Sequence, residues 1–280
     1  MEKDHQKLFA ILQLTDSAFP IGGFSHSLGL EAYTQHYGVG RKQMDPQVLL
    51  HALICIIENS GSLSLPFVRS AHDSVNQCIR AQCDQLEAVS SISIETNVRH
   101  QPSGQDIGES GHEADTESLR ENLAAVTHSL VQLDRMYEAC SANHIARRAS
   151  TRQGKSLMEA SLYTFPILQR QGLGSVAVEL PHHHHAVVHG AIMASLGLGL
   201  DDTITSYMFG VVRTLVTTAV RLDMIGAMEG QRLQWKLQEV SADVIQRNKE
   251  RPVERASIKF PVLDILQNTQ DTLFAKLFYS

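Results

Sequence analysis

The residue types best suited to chemistry are five histidines in the second half of the chain. His182, His183, His184 and His185 are consecutive, and His189 follows four positions later. Residues four apart share one face of a helix, so His185 and His189 could hold one divalent metal through their imidazole nitrogens. Such a site also needs oriented neighbouring groups, which the sequence does not specify. The alternative is a solvated histidine run that precedes a buried helix.

A second group of reactive side-chain types lies near the start of the chain, where His26, Glu31 and Tyr33 are close in sequence. An imidazole, a carboxylate and a phenol can together perform general acid–base catalysis. On one short helix, however, such residues usually lie at the surface or cap the helix. The hypothesis of an unrecognised helical enzyme rests on this group alone.

Four basic residues form a third group, Arg147, Arg148, Arg152 and Lys155. A basic cluster is usually a solvated helix face, and the sharper alternative is a protein-docking patch. The sequence contains no glycine-rich phosphate cradle, no Gly-x-Ser-x-Gly elbow and no His-Glu-x-x-His motif. The signatures of nucleotide-binding enzymes, serine hydrolases and zinc proteases are therefore missing.

Composition favours a soluble helical protein. The 280 residues are 43% hydrophobic but only 6% aromatic, which suits helices built on Leu, Ala, Val and Met better than a β-sandwich. A net charge of -6 gives no electrostatic reason to expect nucleic acid or an anionic membrane, so we expect protein partners. The four cysteines contain no Cys-x-x-Cys pair and are expected to be buried apolar residues. The charged amino-terminal segment is unlike a signal peptide, and a cytoplasmic location is expected.

Helical periodicity extends along most of the chain and predicts an all-α fold. Residues 8–12 belong to a first helix, which the Pro- and Gly-containing loop 16–23 ends. A second helix follows over residues 28–35. Asp45, followed by a proline, is expected to cap a third helix that stops at Gly61.

The later helices follow the same logic. A new helix is expected to start at Ser64–Pro66, another runs from Asn143 to Tyr163, and Asp201 or Asp202 caps a further one. Pro181–Leu200 lacks Asp, Glu, Lys and Arg, but it holds five histidines and three glycines. We interpret it as a buried helix with a polar entry and not as a membrane span.

The segment 90–120 is rich in Ser, Gly, Gln, Asp and Glu and nearly lacks large apolar residues. A segment of this composition buries too little apolar surface to offset the conformational entropy lost on ordering, so we predict a disordered insertion there. Loop closure cost grows slowly with length, and the insertion need not divide the chain. The prediction is a single compact helical domain over residues 1–280 of roughly ten helices, with a flexible terminus at residues 1–7.

Five segments resemble urease accessory protein F in sequence and in order. The longest, Leu14–Tyr33, reads LTDSAFPIGGFSHSLGLEAY and resembles the opening signature of that family. The same order continues with Ala146–Gly154, His184–Gly190 and Glu229–Gln231, and Asp271–Ser280 resembles the family's carboxy-terminal tail. The resemblance covers nearly the whole chain except the predicted insertion.

The resemblance implies an all-α protein that forms a homodimer and carries no catalytic step itself. It implies a scaffold that joins a second accessory protein, called D or H by species, to a GTPase, accessory protein G. The assembly docks on apo-urease, where GTP hydrolysis drives nickel delivery and carbamylation of the active-site lysine. The assembled complex handles nickel and GTP, and no cofactor bound by this chain alone is expected.

The resemblance also implies partner-binding positions. Tyr33 and Lys276 match places implicated in forming the competent complex, and Leu277 with Phe278 would anchor the tail on the D/H partner. The family usually has Arg where Lys276 stands, and Lys cannot form the same bidentate contact. The remaining candidates for partner binding are His26, Glu31, Arg148, Gln153 and Gln231.

Residues 270–280 form an apolar tail after a polar turn, and we expect it to be exposed as a ligand for a partner. The alternative is a tail folded back on its own domain. A direct nickel carrier that uses the cluster His182–His189 is the alternative function, with His185 and His189 as the candidate metal ligands.

Overall fold

The computed structural model describes residues 2–37, 45–97 and 110–280, with side chains described outside residues 2, 3, 82–116 and 119. These residues contain eleven α-helices and no β-strand, which confirms the prediction of an all-α fold with roughly ten helices. The helices are α1 Glu2–Thr15, α2 Leu30–Tyr37, α3 Pro46–Asn97, α4 Ser110–Cys140, α5 His144–Thr164, α6 Pro166–Arg170, α7 Leu173–Glu179, α8 His185–Ser195, α9 Leu200–Arg221, α10 Ala227–Asn248 and α11 Pro261–Asn268.

The centre of the fold is α8, which packs against α3, α5 and α9. Every residue of α8 after His185 is buried, which confirms the buried helix expected within Pro181–Leu200. Two glycines permit this close packing. A Cβ on Gly190 would lie 2.2 Å from the carbonyl oxygen of Val68, and one on Gly154 would lie 1.8 Å from that of His183. Only glycine allows backbones to approach this closely.

The third helix is longer than the sequence indicated. The predicted stop at Gly61 and new start at Ser64–Pro66 are wrong, because α3 continues through both. Gly61 instead allows α10 to approach α3 closely, because a Cβ at this position would lie 2.1 Å from the side chain of Val244. Pro66 lacks the N–H that would donate to the carbonyl of Ser62. The N–H of Ser257 donates to that carbonyl instead, at 3.2 Å.

Helix caps were predicted with mixed success. Asp45 caps α3, because its carboxylate accepts from the backbone N–H of Gln47 at 2.7 Å. Asn143 caps α5 and accepts two backbone N–H groups of the first turn. The prediction that Asp201 or Asp202 caps α9 is wrong, since both lie within its first turn, where a carboxylate interacts with the helix dipole.

Two predicted irregular segments border the described residues. Residues 98–109, inside the predicted insertion 90–120, lie outside the described residues, while α3 extends to Asn97 and α4 starts at Ser110. At the amino-terminal end, α1 begins at Glu2, inside the predicted flexible segment 1–7.

One helix of the described residues is long and apolar enough to cross a membrane. It is the Pro46–Ala81 part of α3, and 56% of its most apolar stretch of 18 residues is buried inside the protein. Its burial against α8, α9 and α10 is typical of the core helix of a soluble protein.

Candidate functional site

The tail, residues 270–280, packs on the body of the protein. The N–H of Tyr279 donates to the carbonyl of Ser25 at 2.9 Å, and the N–H of Ser27 donates to the carbonyl of Ser280. Ser280 is completely buried. The expectation of a free tail is therefore wrong, and the alternative of a tail folded back on its own domain is correct. The cause is the loop before α2, which offers backbone groups that the sequence pattern does not reveal.

Glu31 lies beneath the tail at the start of α2. Its side chain is only 2% exposed, so the expectation that Glu31 is exposed to a partner is wrong. The carboxylate accepts from the backbone N–H of Leu277 and from that of Phe278, the latter at 3.1 Å. It also accepts from the side-chain amide of Gln270, which donates in addition to the Phe278 carbonyl at 3.3 Å.

His26 is the second buried residue beneath the tail, again against expectation, at 2% exposure. Its Nδ1 forms a hydrogen bond with the hydroxyl of Ser280. Burial, with smaller contributions from the positive charges of Arg152 and Arg148, lowers the pKa of His26 to about 4. The imidazole is therefore neutral at pH 7. His26 and Glu31, two of the three residues of the acid–base grouping considered from the sequence, therefore hold the tail.

Arg148 and Arg152 of α5 hold the outer side of the tail. Arg148 forms a bidentate ion pair with Asp271 at 2.9 and 2.8 Å, and this hydrogen bonding holds the pKa of Asp271 well below its usual range. The ring of Tyr279 lies 4.7 Å from the guanidinium of Arg148 and 3.9 Å from that of Arg152. Lys276 lies 3.6 Å from Asp271. Two residues of the basic cluster, Arg148 and Arg152, therefore dock a segment of their own chain, whereas Arg147 pairs with Glu138 at 2.8 Å.

Sequence reasoning missed two residues of this site, Phe24 and Arg221. The Arg221 guanidinium lies between two rings, 3.6 Å from the centroid of Phe24 and 4.2 Å from that of Phe278. It also donates to the Phe24 carbonyl. Phe278 is 2% exposed and Phe24 is 68% exposed. A large apolar residue directly after the Pro/Gly loop was a signal available for Phe24, whereas nothing in the sequence points to Arg221.

The outward side of this assembly carries exposed side chains that we call the tail surface: Phe24, Phe274, Lys276 and Leu277. Phe274 is fully exposed and Leu277 is 54% exposed. Phe278, next to Leu277, is buried, and the side-chain amide of Gln35 donates to the carbonyl of Ala275 at 2.6 Å. The exposed side chains of Phe274, Lys276 and Leu277 are therefore presented on a backbone that is held at these two points.

Three of the predicted partner-binding residues lie away from the tail contacts. Tyr33 stacks on Tyr37 with ring centroids 4.8 Å apart, and burial raises its pKa. Gln153 lines a cavity of about 160 Å³ together with His185. Gln231 is exposed on α10. The other six candidates, which the structure brings together, are His26, Glu31, Arg148, Lys276, Leu277 and Phe278.

The histidine run is fixed by a buried carboxylate on α4. Asp134 is completely buried and accepts the backbone N–H groups of His182, His183 and His184 at 2.7, 3.1 and 2.7 Å. The imidazole of His184, also completely buried, bonds to the Glu138 carboxylate at 2.9 Å. The interpretation of a solvated histidine run is therefore wrong for His184. Its backbone and its imidazole bond to the carboxylates of Asp134 and Glu138 on α4 instead of to water.

The predicted metal pair is adjacent but has other partners. The rings of His185 and His189 lie 5.8 Å apart, and Tyr207 packs against both. Nε2 of His189 lies 3.2 Å from the carbonyl of Thr203 and 3.1 Å from the hydroxyl of Ser206. Burial lowers the pKa of His185 to about 3 and that of His189 to about 4. Within the described part of the chain, no group of three or more His, Cys, Asp or Glu side chains is arranged to hold a metal.

The fold and this site define an all-α protein whose reactive side chains hold its own tail and central helix in place, while the tail presents an exposed apolar surface. The sequence comparisons identify the family. The UreF family model matches residues 49–238. Urease accessory protein F from Oryza sativa subsp. indica is 30% identical over 281 residues, covering 98% of this chain and 86% of that relative. The chain therefore belongs to the UreF family, as its resemblance to urease accessory protein F predicted.

More distant relatives match over the same length. Urease accessory protein F from Arabidopsis thaliana is 28% identical, with 96% of this chain and 90% of the relative covered. Urease accessory protein UreF from Bacillus sp. (strain TB-90) is 24% identical, with 98% and 99% covered. The similarity thus spans plant and bacterial proteins and covers nearly the whole chain.

Proposed function

We propose that this chain is a non-catalytic adaptor in urease maturation. In this role it links a D/H-type accessory protein and the GTPase, accessory protein G, to apo-urease for GTP-dependent nickel insertion. Membership of the UreF family supports an accessory function in urease maturation and association with urease and other accessory proteins. We further propose that it acts in the cytoplasm as a homodimer, without nucleic acid or membrane partners.

The observation that carries the proposed adaptor role is the tail surface. Phe274 and Leu277 expose large apolar side chains on a segment whose backbone is held by hydrogen bonds on both sides. Burying one such side chain in a partner pocket contributes roughly 1.5–3 kcal/mol. A fixed backbone avoids much of the entropy that ordering a loose tail would cost on binding.

Lys276, which lies between Phe274 and Leu277 in the sequence, adds a positive charge to this surface. Its ammonium group is 3.6 Å from Asp271, which Arg148 already pairs in a bidentate manner. Lys276 is therefore free to make a second ionic contact with a partner. As a point charge on a flexible stem, it would make a less directional contact than arginine.

The binding experiment compares the wild-type chain with Phe274→Ala/Leu277→Ala in co-purification with a D/H-type accessory protein. Both truncations remove exposed atoms, so we expect an unchanged fold and affinity reduced by at least about tenfold. Val178→Ala is the matched control, because Val178 is 84% exposed on α7. Equal affinity of the double variant and the wild type would contradict a role for the tail surface.

The functional experiment is activation of apo-urease in a reconstituted system with accessory proteins D/H and G, GTP, bicarbonate and nickel. We expect activation to depend on this chain and to be lost with Phe274→Ala/Leu277→Ala. Full activation without the chain would refute the adaptor role.

A further inference from the structure

We propose that Glu31 is a positioning residue: its buried carboxylate sets the conformation of the tail, and it does not contact a partner itself. The consequence for partner binding rests on the proposed adaptor function. The conformation of the tail in the isolated chain does not, and it can be measured separately.

The geometry of the carboxylate is the first support. One oxygen accepts the N–H of Leu277, and the other accepts that of Phe278 at 3.1 Å. These consecutive backbone groups lie where the tail changes from an exposed side chain at Leu277 to a buried one at Phe278. A single carboxylate that bonds two adjacent amides fixes the backbone direction at this point.

The source of the donors is the second support. The third donor to Glu31 is the side chain of Gln270, so every hydrogen bond described for this carboxylate comes from the tail. Among the described residues, no Lys, Arg or His nitrogen lies within 4 Å of Glu31 as a salt-bridge partner. A carboxylate that is 2% exposed needs such donors. The docked tail supplies them, and the carboxylate in turn selects the tail conformation.

Gln270 allows an independent test of the same mechanism. Its side chain is completely buried, so it cannot touch a partner in this conformation. It bonds to both Glu31 and the Phe278 carbonyl. Removing its amide should therefore affect partner binding only through the conformation of the tail.

The first measurement is amide hydrogen exchange in the full chain without any partner. In Glu31→Gln, one acceptor oxygen becomes an amide donor that faces the tail N–H groups. We expect exchange of the Leu277 and Phe278 amides to accelerate by at least about tenfold. Amides of the central helix α8 serve as an internal reference, and they should keep their wild-type rates if only the tail is released. Glu239→Gln, an acid-to-amide change at an exposed position of α10, is the matched control and should leave the tail unchanged.

The second measurement is a double-mutant cycle of Glu31→Gln and Gln270→Ala, read out as affinity for the D/H-type partner. If both residues act through one contact, each single change weakens binding and the double variant is little weaker than the worse single variant. Fully additive losses would refute the shared mechanism.

The outcomes separate this inference from the proposed function. Unchanged tail exchange in Glu31→Gln overturns the positioning role, whatever the partner does. Faster exchange with wild-type partner affinity, when Phe274→Ala/Leu277→Ala does weaken binding, overturns the consequence for partner binding, since the tail conformation would then not matter for it. Failure of the proposed function is detected separately, by wild-type affinity of Phe274→Ala/Leu277→Ala.

Discussion

Replacing Asp134 with asparagine tests how the histidine run is held. The buried carboxylate accepts two N–H groups on Oδ2, from His182 and His183, and a third on Oδ1, from His184. An asparagine oxygen in the Oδ2 position can keep the first two bonds. Its amide nitrogen would then face the His184 N–H, which lies 2.7 Å from Oδ1 in the wild type.

The expected loss follows from these contacts. Losing one charge-assisted hydrogen bond costs about 1.5–3 kcal/mol, and leaving a buried N–H opposite another donor adds about 1–3 kcal/mol. We expect Asp134→Asn to lower the free energy of unfolding by roughly 3 kcal/mol and Tm by roughly 6 °C or more. Urea unfolding and differential scanning calorimetry measure both quantities.

The matched control is Asp243→Asn on α10, where the side chain is exposed. This change should alter the free energy of unfolding by less than about 0.5 kcal/mol. If Asp134→Asn behaved like Asp243→Asn, the buried carboxylate would not be the group that holds the histidine run.

Three further predictions concern packing, pH and metal. Gly154→Ala should destabilise by at least about 2 kcal/mol in urea unfolding, because its Cβ would lie 1.8 Å from a backbone carbonyl, whereas Gly210→Ala, with open space around it, should be neutral or stabilising. Burial lowers the pKa of His26 and His189 from 6.5 to about 4, so the unfolded chain binds more protons below pH 6.5. Stability should therefore fall by roughly 2–4 kcal/mol between pH 7.5 and pH 5, and a pH-independent free energy of unfolding would contradict this. Equilibrium dialysis should show equal nickel uptake by the wild type and by His185→Ala/His189→Ala, and a lower uptake by the variant would favour the nickel-carrier alternative.

Periodicity predicted the helices well and their ends less well. The apolar spacing and the Asp45 cap locate the start of α3 correctly, because both signals are local. Gly61 and Pro66 are local breakers in the sequence, yet α3 continues through them. Their compensation comes from distant segments, the side chain of Val244 and the N–H of Ser257. No window around α3 contains that information.

The sequence selected several residues of the candidate site but not their arrangement, and it missed Phe24 and Arg221. The resemblance selected His26, Glu31 and the tail residues, and the structure brings them together. Their burial could not be predicted, because it depends on contacts between segments about 250 positions apart, such as His26 with Ser280. Tyr33 and Gln231 are the opposite case: the sequence selected them as candidates, but neither makes a described contact with the tail.

The pairing of the two ends of the chain changes how variants in this site should be interpreted. The signature at Leu14–Tyr33 supplies His26 and Glu31, and the tail supplies the groups that they bond, so these contacts need both segments. A change in the signature can therefore alter the tail surface without touching a partner. Lost partner binding in such a variant does not identify a contact residue unless the tail amides keep their wild-type exchange rates. Phe274 and Leu277 are different, because their side chains point away from the hydrogen-bonded backbone and can be truncated without disturbing it.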